Sequence, residues 1–404
     1  MISSDYTPDL CIRDATSRIV LLVIDGLGGL PHPETGRSEL ETASLPHLDQ
    51  LARRASCGVL SPLGPGFTPG SGPAHLALFG YDPWTSDIGR GALSALGLGL
   101  DFSPGDVAAR LNFCTIDEQG LVTDRRAGRI PTEVCERLCK ILGQVDIEGV
   151  EVCVAPEMEY RAAVVFRGEG LAAGVSDSDP QVTGHAPLPL RGSGDQDDRM
   201  IDVAEQFLVQ ARQLLAQESP ANMVLIRGFG AYPSLATMQQ AYGLTPVGIA
   251  GYPMYRGVAR AVGMETPDTE YDLASETQLL TRLWHDTQAD FFYVHVKKTD
   301  SAGEDGNFDL KVSLLEEADT YLPAITDLDP DVLIVTGDHS TPSTMGSHSW
   351  HPIPVAVASQ RALPMPSATF DERGCSLGSL GHLPSSSLMV LALAHAGRLS
   401  KFGA

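Results

Sequence analysis

The chain has 404 residues, with 28 Lys and Arg against 51 Asp and Glu, a formal charge of −23. Hydrophobic residues make up 43% and charged residues 20%, which excludes a disordered chain and gives material for two globular domains. The acidic excess excludes a general nucleic-acid or anionic-membrane surface, because both need clustered Lys and Arg, and the longest apolar runs (residues 19–24 and 388–394) are too short to span a bilayer.

No basic segment followed by an apolar one opens the sequence, so no secretory leader is expected. Seven cysteines, scattered from Cys11 to Cys375, do not suggest a disulfide framework. A soluble protein of the reducing cytoplasm is the expectation.

After a short polar leader, residues 18–24 form a β-branched run stopped by Asp25 and Gly26, the pattern of a central parallel strand ending in a loop. Residues 46–53 read as an amphipathic helix, 61–72 as a Gly- and Pro-rich constrained loop, and 74–80 as a short helix. From about residue 107 to 220 the texture changes. Arg-rich turns, a strand at 160–167 and a polar loop at 176–198 suggest an inserted second domain, with Cys135 and Cys139 sharing one helix face at i,i+4 spacing. The strand-then-loop pattern then returns. Residues 290–296 run into Lys297-Lys298-Thr299-Asp300, residues 308–320 have helical spacing, and residues 331–336 run into Gly337-Asp338-His339. Alternating strands and helices imply an α/β sheet with its chemistry at the carboxyl ends of the strands.

Three acidic or histidine clusters follow those strands: Asp25, residues 300–305, and Asp338-His339 with His348 and His351 beyond. Carboxylate and imidazole together suit divalent ions such as Mn²⁺ or Zn²⁺. Alone, each cluster is equally well a turn or a capping carboxylate; together they suggest a two-metal site. Ser71, between glycines at the start of a helix, is either an exposed nucleophile favoured by the helix N-terminus and a metal, or an ordinary N-cap serine.

The segments Leu21-Leu-Val-Ile-Asp-Gly-Leu-Gly-Gly29 and Ser71-Gly-Pro-Ala-His-Leu-Ala-Leu-Phe-Gly-Tyr-Asp-Pro83 resemble the opening of the archaeal-type cofactor-independent phosphoglycerate mutases, in the alkaline phosphatase superfamily. Agreement continues at residues 90–97, 110–113, 124–130, 294–300 and 335–342, so the resemblance covers nearly the whole chain after Arg18. It implies an alkaline phosphatase-like α/β core sheet with helices on both faces (residues 1–106 and 221–404) and an inserted, smaller α/β cap domain (residues 107–220). It also implies that Ser71 takes the phosphoryl group from 3-phosphoglycerate and returns it to the 2-hydroxyl, with no 2,3-bisphosphoglycerate. One divalent ion is expected on Asp25, Asp338, His339 and Ser71, the other on Asp300, His348 and a further ligand.

That further ligand is open. Glu304 stands where the family pattern usually has histidine; as a ligand it would favour Mn²⁺ or Mg²⁺ over Zn²⁺ or Co²⁺, and His351 is the alternative. Arg110, Arg125 and Arg129 fall in the family-like motifs and are the expected contacts to phosphate and carboxylate, for which forked guanidinium donors are suited. Lys298 is expected to reach the phosphoryl group, and Lys297 to point away by strand alternation. His75 is expected to be structural. The cap is expected to close over the core and keep water off the phosphoserine. A phosphatase or phosphotransferase of the same superfamily, acting on another small phosphorylated metabolite, is the alternative, and a non-catalytic binder is a third reading.

Overall fold

The computed structural model describes residues 7–86, 88–365 and 368–403. Ile19–Ile24, apolar at all six positions, is buried throughout and lies inside a seven-stranded sheet. Phe291–Val296 and then Pro246–Ile249 lie to one side of it. To the other lie Val332–Thr336, Ile353–Ser359, Ala55–Ser61 and Gly381–Pro384 in that order. Ile353–Ser359 is antiparallel to both neighbours, and the remaining pairings are parallel.

Burial at every position of the central strand means that both faces of the sheet are covered. On one face Val20, Leu22 and Ile24 pack in a cluster with Leu48, Leu51, Leu280, Leu315 and Leu322 from three helices, Pro46–Ala52, Leu273–Asp286 and Phe308–Thr326. Each such side chain contributes about 1.5–3 kcal/mol, against about 0–1 for an exposed ion pair, so apolar packing holds this sheet. The expected α/β core is therefore present.

The central strand is in level register with both parallel neighbours: Ile24 faces Val296 and Val23 faces Thr336. Three carboxyl ends therefore open at one edge, and the segments that follow carry Asp25 and Asp338 on turns and Asp300 in the helix Lys298–Glu304. Residues distant in sequence meet for this reason.

The chain divides into two units, Met1–Asp87 with Leu235–Ala404, and Ile88–Ser234. In the second, Val107–Ile116 lies between Arg161–Arg167 and Met223–Ala231, antiparallel to both, with Glu151–Met158 outside and Val122–Asp124 on its far end. Helices Thr132–Leu142 and Asp198–Leu214 complete a separate apolar cluster, in which Cys135 and Cys139 lie side by side with Leu138 and Phe207.

The boundaries differ from the expected 107–220. Met223–Ala231 pairs with Val107–Ile116 almost along its length, so it cannot belong to the core. The helix Arg90–Leu98 joins the same unit because Gly91 lets its backbone lie on the strand: a Cβ there would come within 2.3 Å of the Ala109 Cα. Among the described residues no helix is long and apolar enough to cross a membrane.

Candidate metal centre

At the carboxyl edge of the larger sheet two groups of metal-ligating atoms gather, one of Asp25, Asp338 and His339, the other of Asp300, His339 and His348. His339 belongs to both. Its Nε2 lies 3.2 Å from Asp338 Oδ2, 3.5 Å from Asp25 Oδ1 and 3.2 Å from Ser71 Oγ. His348 stacks on it with ring centroids 3.7 Å apart, donates from Nδ1 to the Pro69 carbonyl, and turns Nε2 to within 3.5 Å of Asp300 Oδ1. His339 therefore lies within reach of the donors of both groups.

Glu304 ends the helix Lys298–Glu304, half-exposed, with its carboxylate 3.6 Å from His348 Nε2. That neighbour holds the Glu304 carboxyl below its usual range. His351 joins neither group; its Nδ1 meets Ser349 Oγ at 3.1 Å and its ring stacks on Trp350.

Ser71 is not the N-cap of its helix. Gly70 holds that position, and Ser71–Leu78 begins with the serine hydroxyl turned to His339. His75, one turn on and fully buried, meets the Ser71 carbonyl at 2.8 Å and Asp338 Oδ2 at 3.4 Å through Nδ1. Burial lowers its pKa to about 3, so it stays neutral and orients the Ser71 carbonyl.

Lys297 and Lys298 exchange their expected places. Lys297 Nζ donates to Asp300 and lies 3.1 Å from Asp25 Oδ2, whereas Lys298 is exposed beside Tyr271, Asp272 and Glu276. Strand alternation ends at Val296. Lys297 already has helical backbone angles (φ −88°, ψ −36°), so it shares a helix face with Asp300 three residues on.

Sequence reasoning also missed Tyr255 and His295. The Tyr255 hydroxyl donates to Asp25 Oδ2, and His295 Nε2 lies 3.3 Å from the same oxygen, its ring stacked on Tyr255 at 3.6 Å. A histidine next to the last residue of an otherwise apolar strand was the available signal.

The electrostatics call for further positive charge. Burial opposes ionisation of Asp25, but Lys297, His295 and His339 hold its carboxyl well below the usual range. Burial and the charges of Asp25 and Asp300 push Asp338 well above it, and burial drives His339 well below the usual imidazole range. Three buried acids thus face one ammonium, and Asp25 Oδ1 and Asp338 Oδ2 have no hydrogen-bond donor. Unpaired buried carboxylates cost several kcal/mol each, and divalent ions bound by oxygen and imidazole relieve that cost, so the residues present fit such ions.

In the smaller unit Arg110 is forked onto the buried Glu157 at 2.8 and 3.0 Å, and Arg125 onto Asp179 at 2.6 and 2.9 Å. Arg129 is exposed, with a left-handed backbone (φ 54°). Arg227, 3.1 Å from Asp179, and Arg90 were not singled out from sequence. Partial burial, with the like charges of Arg227 and Arg110, lowers the Arg90 pKa.

Residues 52–222 match the family described as 2,3-bisphosphoglycerate-independent phosphoglycerate mutase. A Thermus thermophilus protein named "Probable 2,3-bisphosphoglycerate-independent phosphoglycerate mutase" is 49% identical over 393 residues, 96% of each chain. Among solved structures, the PH0037 protein from Pyrococcus horikoshii superposes with a TM-score of 0.83 at 27% identity, covering 96% of this chain and all of that one. A cofactor-independent phosphoglycerate mutase from Thermoplasma acidophilum gives 0.70 at 28% identity, covering 94% and 100%. The fold defines an α/β protein with two groups of carboxylate and imidazole donors at the carboxyl edge of its sheet and a serine beside them. The chain belongs to the 2,3-bisphosphoglycerate-independent phosphoglycerate mutase family.

Proposed function

We propose that this chain interconverts 3-phosphoglycerate and 2-phosphoglycerate through a phosphoserine at Ser71. The observation that supports it most is the position of Ser71 Oγ, 3.2 Å from the imidazole common to both donor groups. Asp25, Asp338 and His339 would hold one divalent ion, with Ser71 beside it, and Asp300 and His348 the other, with Glu304 beside the second. Such ions lower the cost of a serine alkoxide and spread the charge of in-line displacement.

The Ser71 oxygen forms its bond to phosphorus as the bond to the C3 oxygen breaks, and the serine proton ends on glycerate. In the return half the C2 oxygen takes phosphorus from Oγ and the proton goes back to serine. Neither water nor a second phosphate donor is consumed. Lys297 holds Asp25 and Asp300 in place, and His75 fixes the Ser71 carbonyl.

For the substrate anions, the forks of Arg110 and Arg125 already meet carboxylates, and Arg129 is exposed. Arg90 is exposed at the start of the helix Arg90–Leu98, in the same unit as those arginines, and we place it with them in substrate binding.

An enolase-coupled assay on metal-stripped protein tests the reading. Mn²⁺, Mg²⁺, Co²⁺ or Zn²⁺ is restored singly, no bisphosphoglycerate is added, and free phosphate is followed in parallel. Metal-dependent phosphoenolpyruvate with little phosphate is expected, and Ser71→Ala should lose at least about 10³ of the rate. Phosphate release without phosphoenolpyruvate would make the chain a phosphatase, and activity surviving in S71A would remove the phosphoserine.

A further inference from the structure

We infer that Thr341 is a positioning residue that joins the two ion sites, one hydroxyl orienting a ligand of each. The inference rests on reading those residues as ion ligands.

Thr341 is fully buried two residues beyond His339. Its Oγ1–H donates to Asp300 Oδ1 at 2.7 Å, and the same oxygen lies 3.0 Å from His339 Nδ1. Having given its proton to Asp300, this oxygen is an acceptor toward the imidazole, so Nδ1 carries the ring proton. The lone pair is then on Nε2, which faces Ser71 Oγ, Asp25 Oδ1 and Asp338 Oδ2. A single hydroxyl therefore selects the His339 tautomer whose Nε2 faces Asp25 and Asp338, and holds Asp300 of the other group.

The surroundings are built to keep it there. The Thr341 N–H donates to the Gly28 carbonyl at 3.0 Å, and the buried Lys311 ammonium donates to the carbonyls of Gly28 (3.0 Å) and Thr341 (2.8 Å). Space is kept clear by two glycines. A Cβ on Gly26 would lie 2.7 Å from Thr341 Oγ1, and one on Gly303 would lie 2.3 Å from the Thr341 carbonyl oxygen. The turn after Asp25 and the helix that carries Asp300 thus both close on Thr341, which the segment after Asp338 itself supplies. Partners that orient metal-ligating imidazoles and carboxylates in this way typically govern ion affinity by 10- to 100-fold.

The experiment is a Mn²⁺ titration of metal-stripped protein, with free Mn²⁺ read by electron paramagnetic resonance. It compares wild type with Thr341→Val, which keeps the shape, and Thr341→Ser, which keeps the hydroxyl. Wild type and T341S should bind two ions with affinities within a few-fold of each other, while T341V weakens both ions about 10- to 100-fold. Loss confined to one ion would overturn the joining role, and unchanged affinity in T341V, or T341S as weak as T341V, would overturn the hydroxyl's role altogether. Should T341V melt below the assay temperature, Thr341→Ala supplies the hydroxyl-free comparison. Wild type that binds no Mn²⁺ would defeat the metal reading itself, an outcome distinct from two ions bound alike by wild type and T341V.

Discussion

Lys297 shows how much one side chain carries at this edge. Its ammonium, 14% exposed, is the cation lying against both Asp25 and Asp300. Replacing it with Met keeps the stem and leaves two buried carboxylates facing each other, a loss of about 3–5 kcal/mol. Divalent ions would restore much of that, so thermal melts should show Lys297→Met destabilised far more in chelator than in Mn²⁺. Equal losses in both would show that Lys297 does not shield these acids. The acids themselves were legible in the sequence, because Asp25, Asp300 and Asp338 each follow a β-branched or aromatic run. Lys297 was not, since a switch from strand to helix between residues 296 and 298 reverses which lysine faces inward. Tyr255 was hidden for another reason: it is a polar tip on a buried helix face, and nothing local distinguishes it from core.

At the level of elements, the helix Leu273–Asp286 is tied to the sheet by an acid. Glu276, 3% exposed, accepts from the Gly251 N–H at 2.9 Å, just beyond the strand Pro246–Ile249. Burial raises its carboxyl to about 8, against an ordinary value near 4.5. The folded chain therefore keeps this proton over a range in which the unfolded chain has released it. Stability from this group is greatest at the acid end and falls as pH rises from about 4.5 to 8, by at most about 1.4 kcal/mol per unit. Glu276→Gln should abolish that slope, and melting curves of variant and wild type should diverge steadily from pH 5 to pH 8 in favour of the variant. Parallel curves would place the proton elsewhere. Strand positions in both sheets could be read from apolar runs, but the helix Arg90–Leu98 could not be assigned to its unit. Its attachment depends on a glycine meeting a backbone, which leaves no periodic signature.

For the whole molecule, the separation into two apolar clusters predicts where the chain can be cut. A fragment of residues 88–234 should fold cooperatively, with dispersed amide resonances and a single melting transition. A fragment of 107–220 should not, because it lacks Met223–Ala231 and leaves one edge of Val107–Ile116 unpaired. A cooperative melt of the shorter piece would contradict the pairing as the basis of the unit.

The central strand Ile19–Ile24 also sets a timetable. Its two partners, Phe291–Val296 and Val332–Thr336, emerge from the ribosome roughly 270 and 310 residues later. At translation speeds of about 5–20 residues per second, six apolar residues wait unpaired for about fifteen seconds to a minute. The smaller unit is complete before either partner appears, so it can fold while the larger one cannot. Nascent chains are thus most prone to aggregate through their earliest strand, and the donors Asp25, Asp300, Asp338, His339 and His348 can meet only after residue 348 is made.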